Sequence, residues 1–212
     1  MTFQKKLSGL VLAGLAALFM AGCQTTNYQR AENTSKSMLV FRENMVAVRN
    51  QTGATLKDLN AISQQATGDS TKDFERYQSA LAKLETLAQN AKSQAKDMDT
   101  KGKEYFAAWD QELANVQSPD IRARATAKRA EIVASYDKLA GEMHQAAALF
   151  DPFLKRLQDV RTMFASDLSV RTISDARDLI KQSNIAGAEV LNQLDDVIAD
   201  LNAVNAALAP GK

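Results

Sequence analysis

The sequence predicts an all-α protein: an elongated antiparallel bundle of about four long helices with coiled-coil-like heptad packing. Three observations carry this. Apolar residues recur at alternating steps of three and four along four stretches of the chain. Helix breakers are scarce, with three prolines and nine glycines in 212 residues. No sustained period-two run offers a strand.

The first register is Met38, Phe41, Met45, Val48, Thr52, Thr55, Leu59, Ile62 and Ala66, softened in the middle by its two threonines. Gly68 follows, suited to the residue just past a helix C-terminus. The second register runs Phe74, Tyr77, Leu81, Leu84, Ala88, Ala91, Ala95, Met98, Gly102, Tyr105 and Trp109. Its small-residue middle would let a neighbouring helix approach closely. This segment ends near Val116, and Ser118, Pro119 and Asp120 start the next helix as N-cap, first helical residue and first-turn acid.

The third register is Ile132, Tyr136, Leu139, Met143, Ala146, Phe150, Phe153, Leu157, Val160 and Phe164. Pro152 falls inside it. An interior proline removes a backbone hydrogen bond and crowds the preceding turn, at about 3 kcal/mol. Because the stripe stays in phase across it, a kink is expected; a break at Asp151 and Pro152 is the alternative.

After a short connection at 166–172 comes the fourth register: Ile173, Ala176, Ile180, Ser183, Gly187, Val190, Leu194, Val197, Leu201, Val204 and Leu208. Short connections force sequential helices to be antiparallel neighbours. Residues 32–209 thus read as one bundle domain and 210–212 as a C-terminal tail.

The first 22 residues read differently. Lys5 and Lys6 precede an apolar run from Leu7 to Ala21 in which Ser8 is the only polar side chain. That length suits an export signal and falls short of the ~20 residues of a permanent membrane span. Met20, Ala21, Gly22 and Cys23 resemble a lipobox, with Met20 where leucine is usual. The resemblance implies a lipoprotein signal peptide at 1–22, lipidation of Cys23, and Met20, Ala21 and Gly22 as cleavage recognition. Cys23 is the only cysteine, so no internal disulfide can form. An ordinary secretory signal with an incidental cysteine is the alternative. Residues 23–31 then read as the lipidated cysteine and a polar tether. Two or more acyl chains hold a protein stably at a bilayer, so the implied partner is a membrane. Gln24 is not the aspartate that typically retains lipoproteins at the inner membrane; the resemblance favours the periplasmic face of the outer membrane.

Charge and chemistry narrow the function. Lys5 and Lys6 leave with the leader and no acid does, so 24 basic residues face 25 acidic ones in the mature chain. No basic stripe suits nucleic acid. His144 is the only histidine, one place past a core position, and reads as a helix face. Without a second histidine or cysteine, ordinary zinc sites are excluded. Asp195, Asp196 and Glu131 read as solvated faces. Lys101, Gly102 and Lys103 lack the remainder of a phosphate-binding loop, and no nucleophile-elbow motif occurs. The expectation is a non-enzyme with no cofactor and no metal. Tyr105, Phe106 and Trp109 form the densest aromatic group and read as core near a bundle end; a partner or peptidoglycan contact is the alternative.

The mature region resembles an uncharacterised proteobacterial family of helical coiled-coil periplasmic lipoproteins, a domain of unknown function. The lipobox, the polar tether, and Phe150, Asp151, Pro152 and Phe153 inside a long heptad helix carry the resemblance. The function expected is a helical scaffold or interaction module in the cell envelope, meeting an envelope protein or a second copy. The alternative is a carrier whose bundle opens for a lipid or other apolar ligand, with Thr52, Thr55, Ser183 and Gly187 as soft core positions.

Overall fold

A computed structural model describes residues 27–64 and 70–208. Within them the chain folds into α1 (Asn27–Gln64), α2 (Thr71–Asn115), α3 (Pro119–Ser166), α4 (Val170–Asp175) and α5 (Arg177–Leu208). No strand occurs among the described residues. The signal segment with Met20, Ala21, Gly22 and Cys23, the seam residue Ala66, the turn glycine Gly68 and the tail 210–212 lie outside them.

The four long helices form a ring in the order α1, α2, α3, α5, each touching its two neighbours. At 1.5 Å per residue, the 48 residues of α3 span about 70 Å. One continuous core fills the centre. The heptad registers point into it: their described residues are buried except Ala91, Ala95, Trp109 and Met143, which are half-buried. Leu56, Ala80 and Ala108 lie off the registers yet are buried too, because an inward face is wider than two positions per heptad.

Polar pairs between neighbours hold the axial register. Arg49 grips Asp195 with two hydrogen bonds, at 2.9 and 3.1 Å, joining α1 to α5. Asn60 and Asn184 exchange amide bonds across the same pair of helices. Lys138 reaches Asp200 at 2.7 Å between α3 and α5. Asp195, read as a solvated face, is half exposed while making its bridge.

The start of α3 is as expected: Ser118 Oγ accepts from the Ile121 amide at 3.4 Å and Pro119 occupies the first turn. The helix then runs unbroken through Pro152 to Ser166, so the alternative of a break is excluded. Two boundaries differ from expectation. The connection read at 166–172 is shorter, because Ser169 caps a six-residue helix by accepting from the Thr172 amide, and the Asp167 carboxylate accepts from the Ser169 amide at 2.9 Å. The fourth segment is therefore α4 plus α5, separated at Ala176. At the other end, α1 reaches back to Asn27, so residues 27–31 of the stretch read as tether are helical.

Candidate functional site

The contacts around the ring are uneven. α1 packs densely on α2 and on α5, and α3 on α5, whereas α2 and α3 meet only sparsely. The reason lies in side-chain size. The middle of α2 offers Ala88, Ala91 and Ala95 where bulky residues stand elsewhere, and α3 answers with Ala146 and Ala147. α1 is the neighbour packed most densely on α2; on the α3 side these alanines leave a gap.

That gap is an apolar crevice of about 100 Å³. Phe41, Met45 and Val48 of α1 and Leu194 and Val197 of α5 form its floor, and Met143 and Phe150 of α3 its flank. Three of the four half-buried register positions, Ala91, Ala95 and Met143, belong to this seam. Lys92 Nζ meets Asp151 Oδ1 at 2.8 Å, joining α2 to α3 beside the opening. Both side chains are more than half exposed, so this bridge contributes under about 1 kcal/mol.

Two buried tyrosines bound the seam. Tyr77 of α2 donates its hydroxyl to the Leu157 carbonyl of α3 at 2.6 Å. Tyr136 of α3 donates to the Met98 carbonyl of α2 at 2.9 Å. Burial pushes the Tyr77 phenol well above the ordinary tyrosine range, with Arg161 opposing and Glu85 adding. Burial, helped by the Asp99 charge, pushes Tyr136 up to about 12. Glu85 also accepts from Gln158 at 2.7 Å across the same seam.

The Phe150–Phe153 element sits here. Phe150 lines the crevice, Asp151 takes Lys92, and Phe153 is turned to the interior. Phe153 and Leu56 occupy the space that the missing side chain of Gly187 leaves on α5; a Cβ there would come within 3.2 Å of Phe153 and 2.5 Å of Leu56. The other soft positions are equally closed. Thr52, Thr55 and Ser183 are fully buried, and their hydroxyls donate to Val48, Gln51 and Leu179 carbonyls in their own helices. If the bundle has a point of opening, the packing puts it at the α2–α3 seam, not at these residues.

Tyr105, Phe106 and Trp109 pack as core near a bundle end: Tyr105 lies 5.4 Å from Phe106 and 5.5 Å from Trp109, and Phe106 meets Tyr136 edge-on. Arg129 stacks over Phe106 at 5.7 Å. His144 is exposed. No cluster of three metal-binding side chains, and no helix long and apolar enough to cross a membrane, occurs among the described residues. A second, larger concavity of about 570 Å³ lies between α1 and α2 near Arg30 and Tyr105. Its charges are partly satisfied within it: a hydrogen bond from Lys101, against the effect of burial and with help from Ser37, holds the Asp97 carboxyl below its usual range.

Sequence periodicity located the alanines of the seam. It missed Lys92 and Asp151 as partners, since their separation of 59 residues leaves no local signal. A family model described as "Protein of unknown function (DUF2959)" matches residues 33–208. No curated protein and no solved structure matches the chain.

Proposed function

The chain belongs to this DUF2959 family, and from that premise we propose that it is a lipid-anchored helical module of the cell envelope. Cys23 is the attachment point, Met20, Ala21 and Gly22 present the bond to be cut, and residues 1–22 are the signal peptide. The bundle acts as a scaffold or interaction body for an envelope protein or a second copy, at the periplasmic face of the outer membrane. Neither catalysis nor nucleic acid enters this reading.

One observation carries it: the only cysteine closes an export-type apolar run, and the described helical bundle is under way four residues later at Asn27. Such spacing suits a body held close to a membrane. Cys23→Ser should abolish metabolic labelling with palmitate and leave the precursor unprocessed. Continued labelling refutes the anchor.

A second reading, carriage of a lipid or other apolar ligand, is favoured by the α2–α3 crevice alone. Its lining is apolar and its two walls make few contacts. Native mass spectrometry after gentle extraction separates the readings. A near-stoichiometric lipid beyond the covalent anchor would establish carriage, and a mass of protein plus anchor alone would count against it.

A further inference from the structure

The four long helices do not end together. Ser37 of α1 is level with Asp97 of α2, their side chains 3.1 Å apart. From that level α1 extends ten residues to its start at Asn27, whereas α2 extends eighteen to Asn115. At 1.5 Å per residue, α2 overshoots α1 by about 12 Å. A second level mark agrees. Lys138 of α3 meets Asp200 of α5, and from there α3 reaches back nineteen residues to Pro119 while α5 continues eight to Leu208, an overshoot of about 16 Å. Among the described residues, the α2–α3 hairpin therefore projects alone, at the end of the bundle where α1 begins.

The chain ahead of α1 sets what this hairpin meets. Four residue steps separate Cys23 from Asn27, and fully extended they span at most about 14 Å. That reach matches, within a few ångströms, the overshoot of about 12 Å by which α2 passes the start of α1. On the anchor reading, on which this inference rests, the chain is long enough for the tip and the anchor to reach the same plane.

The tip has the chemistry for that plane. Ile121 is 60% exposed, the most exposed large apolar side chain among the described residues. Val116 beside it is half-buried, and the described residues of α1 and α5 stop short of this level. Arg122 donates Nε to the Val116 carbonyl at 3.0 Å, bracing the turn, and Arg124 makes no ion pair among the described residues. Asp120 is the one acid between Ser118 and Arg124, placed on the first turn of α3, where it complements the helix dipole. An exposed apolar apex flanked by arginines suits the headgroup layer of a bilayer, the apolar group entering the interface and the guanidinium groups meeting phosphates.

We propose that the α2–α3 tip is a second membrane contact: Ile121 enters the interfacial layer, and Arg122 and Arg124 pair with phospholipid phosphates of the leaflet that holds the Cys23 anchor. The bundle then stands on two feet, with its long axis away from the membrane.

The test uses the mature, lipidated full chain in vesicles of phosphatidylethanolamine and phosphatidylglycerol. Because the thioether consumes the thiol of Cys23, an Ile121→Cys substitution supplies a single site for an environment-sensitive fluorophore. The expected result is a blue shift and a several-fold intensity gain on vesicles, with quenching by brominated lipid. The same label at exposed Lys181→Cys, on α5 near its opposite end, should stay water-like. Adding Arg122→Glu and Arg124→Glu should remove most of the shift at 121. A water-like label at 121 on protein that floats with the vesicles overturns the tip contact and leaves the anchor standing. Failure to float overturns the anchor reading and this contact with it. A shift at 121 that needs protein concentration and no vesicles assigns the tip to self-association and overturns the proposal.

Discussion

Tyr136 lies across Gly102. Its hydroxyl donates to the Met98 carbonyl at 2.9 Å, and its ring fills the space that a side chain at 102 would need: a Cβ would sit 2.5 Å from Cζ and closer still to the hydroxyl. The glycine lets an α3 aromatic reach the α2 backbone, and the hydrogen bond fixes the ring there. Gly102→Ala gains roughly 1 kcal/mol of helix propensity but overpacks a ring that cannot move away. The expected net effect in urea unfolding is a loss of about 1–3 kcal/mol. Gly141 is the opposite case, because a Cβ added there would meet nothing within 4 Å. Gly141→Ala should gain about 0.5–1 kcal/mol.

The seam tyrosines make stability fall in alkali. Both phenols have folded-state pKa values above the ordinary value of about 10. Below pH 10 both the folded and the unfolded chain hold the proton, so the contribution is fully present. From about pH 10 to about 12 the unfolded chain loses the Tyr136 proton while the folded chain keeps it, and stability declines. Tyr136→Phe should flatten that decline in urea midpoints measured from pH 9 to 11.5; an unchanged slope would sink the assignment. Tyr77→Phe should also cost about 0.5–1.5 kcal/mol at neutral pH through its lost hydrogen bond.

Filling the crevice should tighten the seam. Ala91 is half-buried and lines the gap. Ala91→Leu adds apolar volume where α2 and α3 touch least. Thermal unfolding should show a gain of about 0.5–2 kcal/mol, the usual range for cavity filling. If the protein carries an apolar ligand in this gap, the same variant should also lose the co-purifying mass. Stabilisation without that loss would place carriage elsewhere.

The buried threonines differ in reach. Thr52 donates only to Val48 of its own helix, whereas Thr55 also approaches the Ala80 carbonyl of α2 at 3.3 Å. Thr52→Val removes a hydroxyl whose partner carbonyl keeps its helical bond, and should be neutral or slightly stabilising. Thr55→Val loses a contact between helices and should cost about 0.5–1.5 kcal/mol. Equal effects in urea denaturation would show that the α1–α2 bond carries no energy.

Phe153→Ala should be the most damaging of these changes. Its ring is 1% exposed and packs into the hollow at Gly187, so truncation leaves a cavity and costs about 3–5 kcal/mol. A loss below about 2 kcal/mol would mean that Leu56 collapses into the space.

Local rules made the helices legible. Ser118 and Pro119 marked the start of α3, and the stripe from Phe150 to Leu157 carried the helix across Pro152, because apolar phase outweighs one missing hydrogen bond once neighbours hold both sides. Asp167 and Ser169 were less legible. Their side chains build a cap that turns part of an expected loop into α4, and a connection only three residues long resembles a polar linker until its hydrogen bonds are drawn.

By itself the sequence determined which residues of each helix face inward, since a 3.6-residue turn leaves an apolar stripe little choice. It marked Cys23 as the only thiol at the end of an apolar leader, the basis for the proposed anchor. It did not determine which inward faces would meet closely. Met45, Ala91, Met143 and Val197 are equivalent in their stripes, yet they come together around a gap because alanine on α2 faces alanine on α3. Nor did it determine that, among the described residues, the α2–α3 hairpin outruns α1 and α5 on the side where α1 begins. Axial register comes from contacts such as Ser37 with Asp97 and Lys138 with Asp200, separated by 60 and 62 residues, and only the packed bundle brings such residues together.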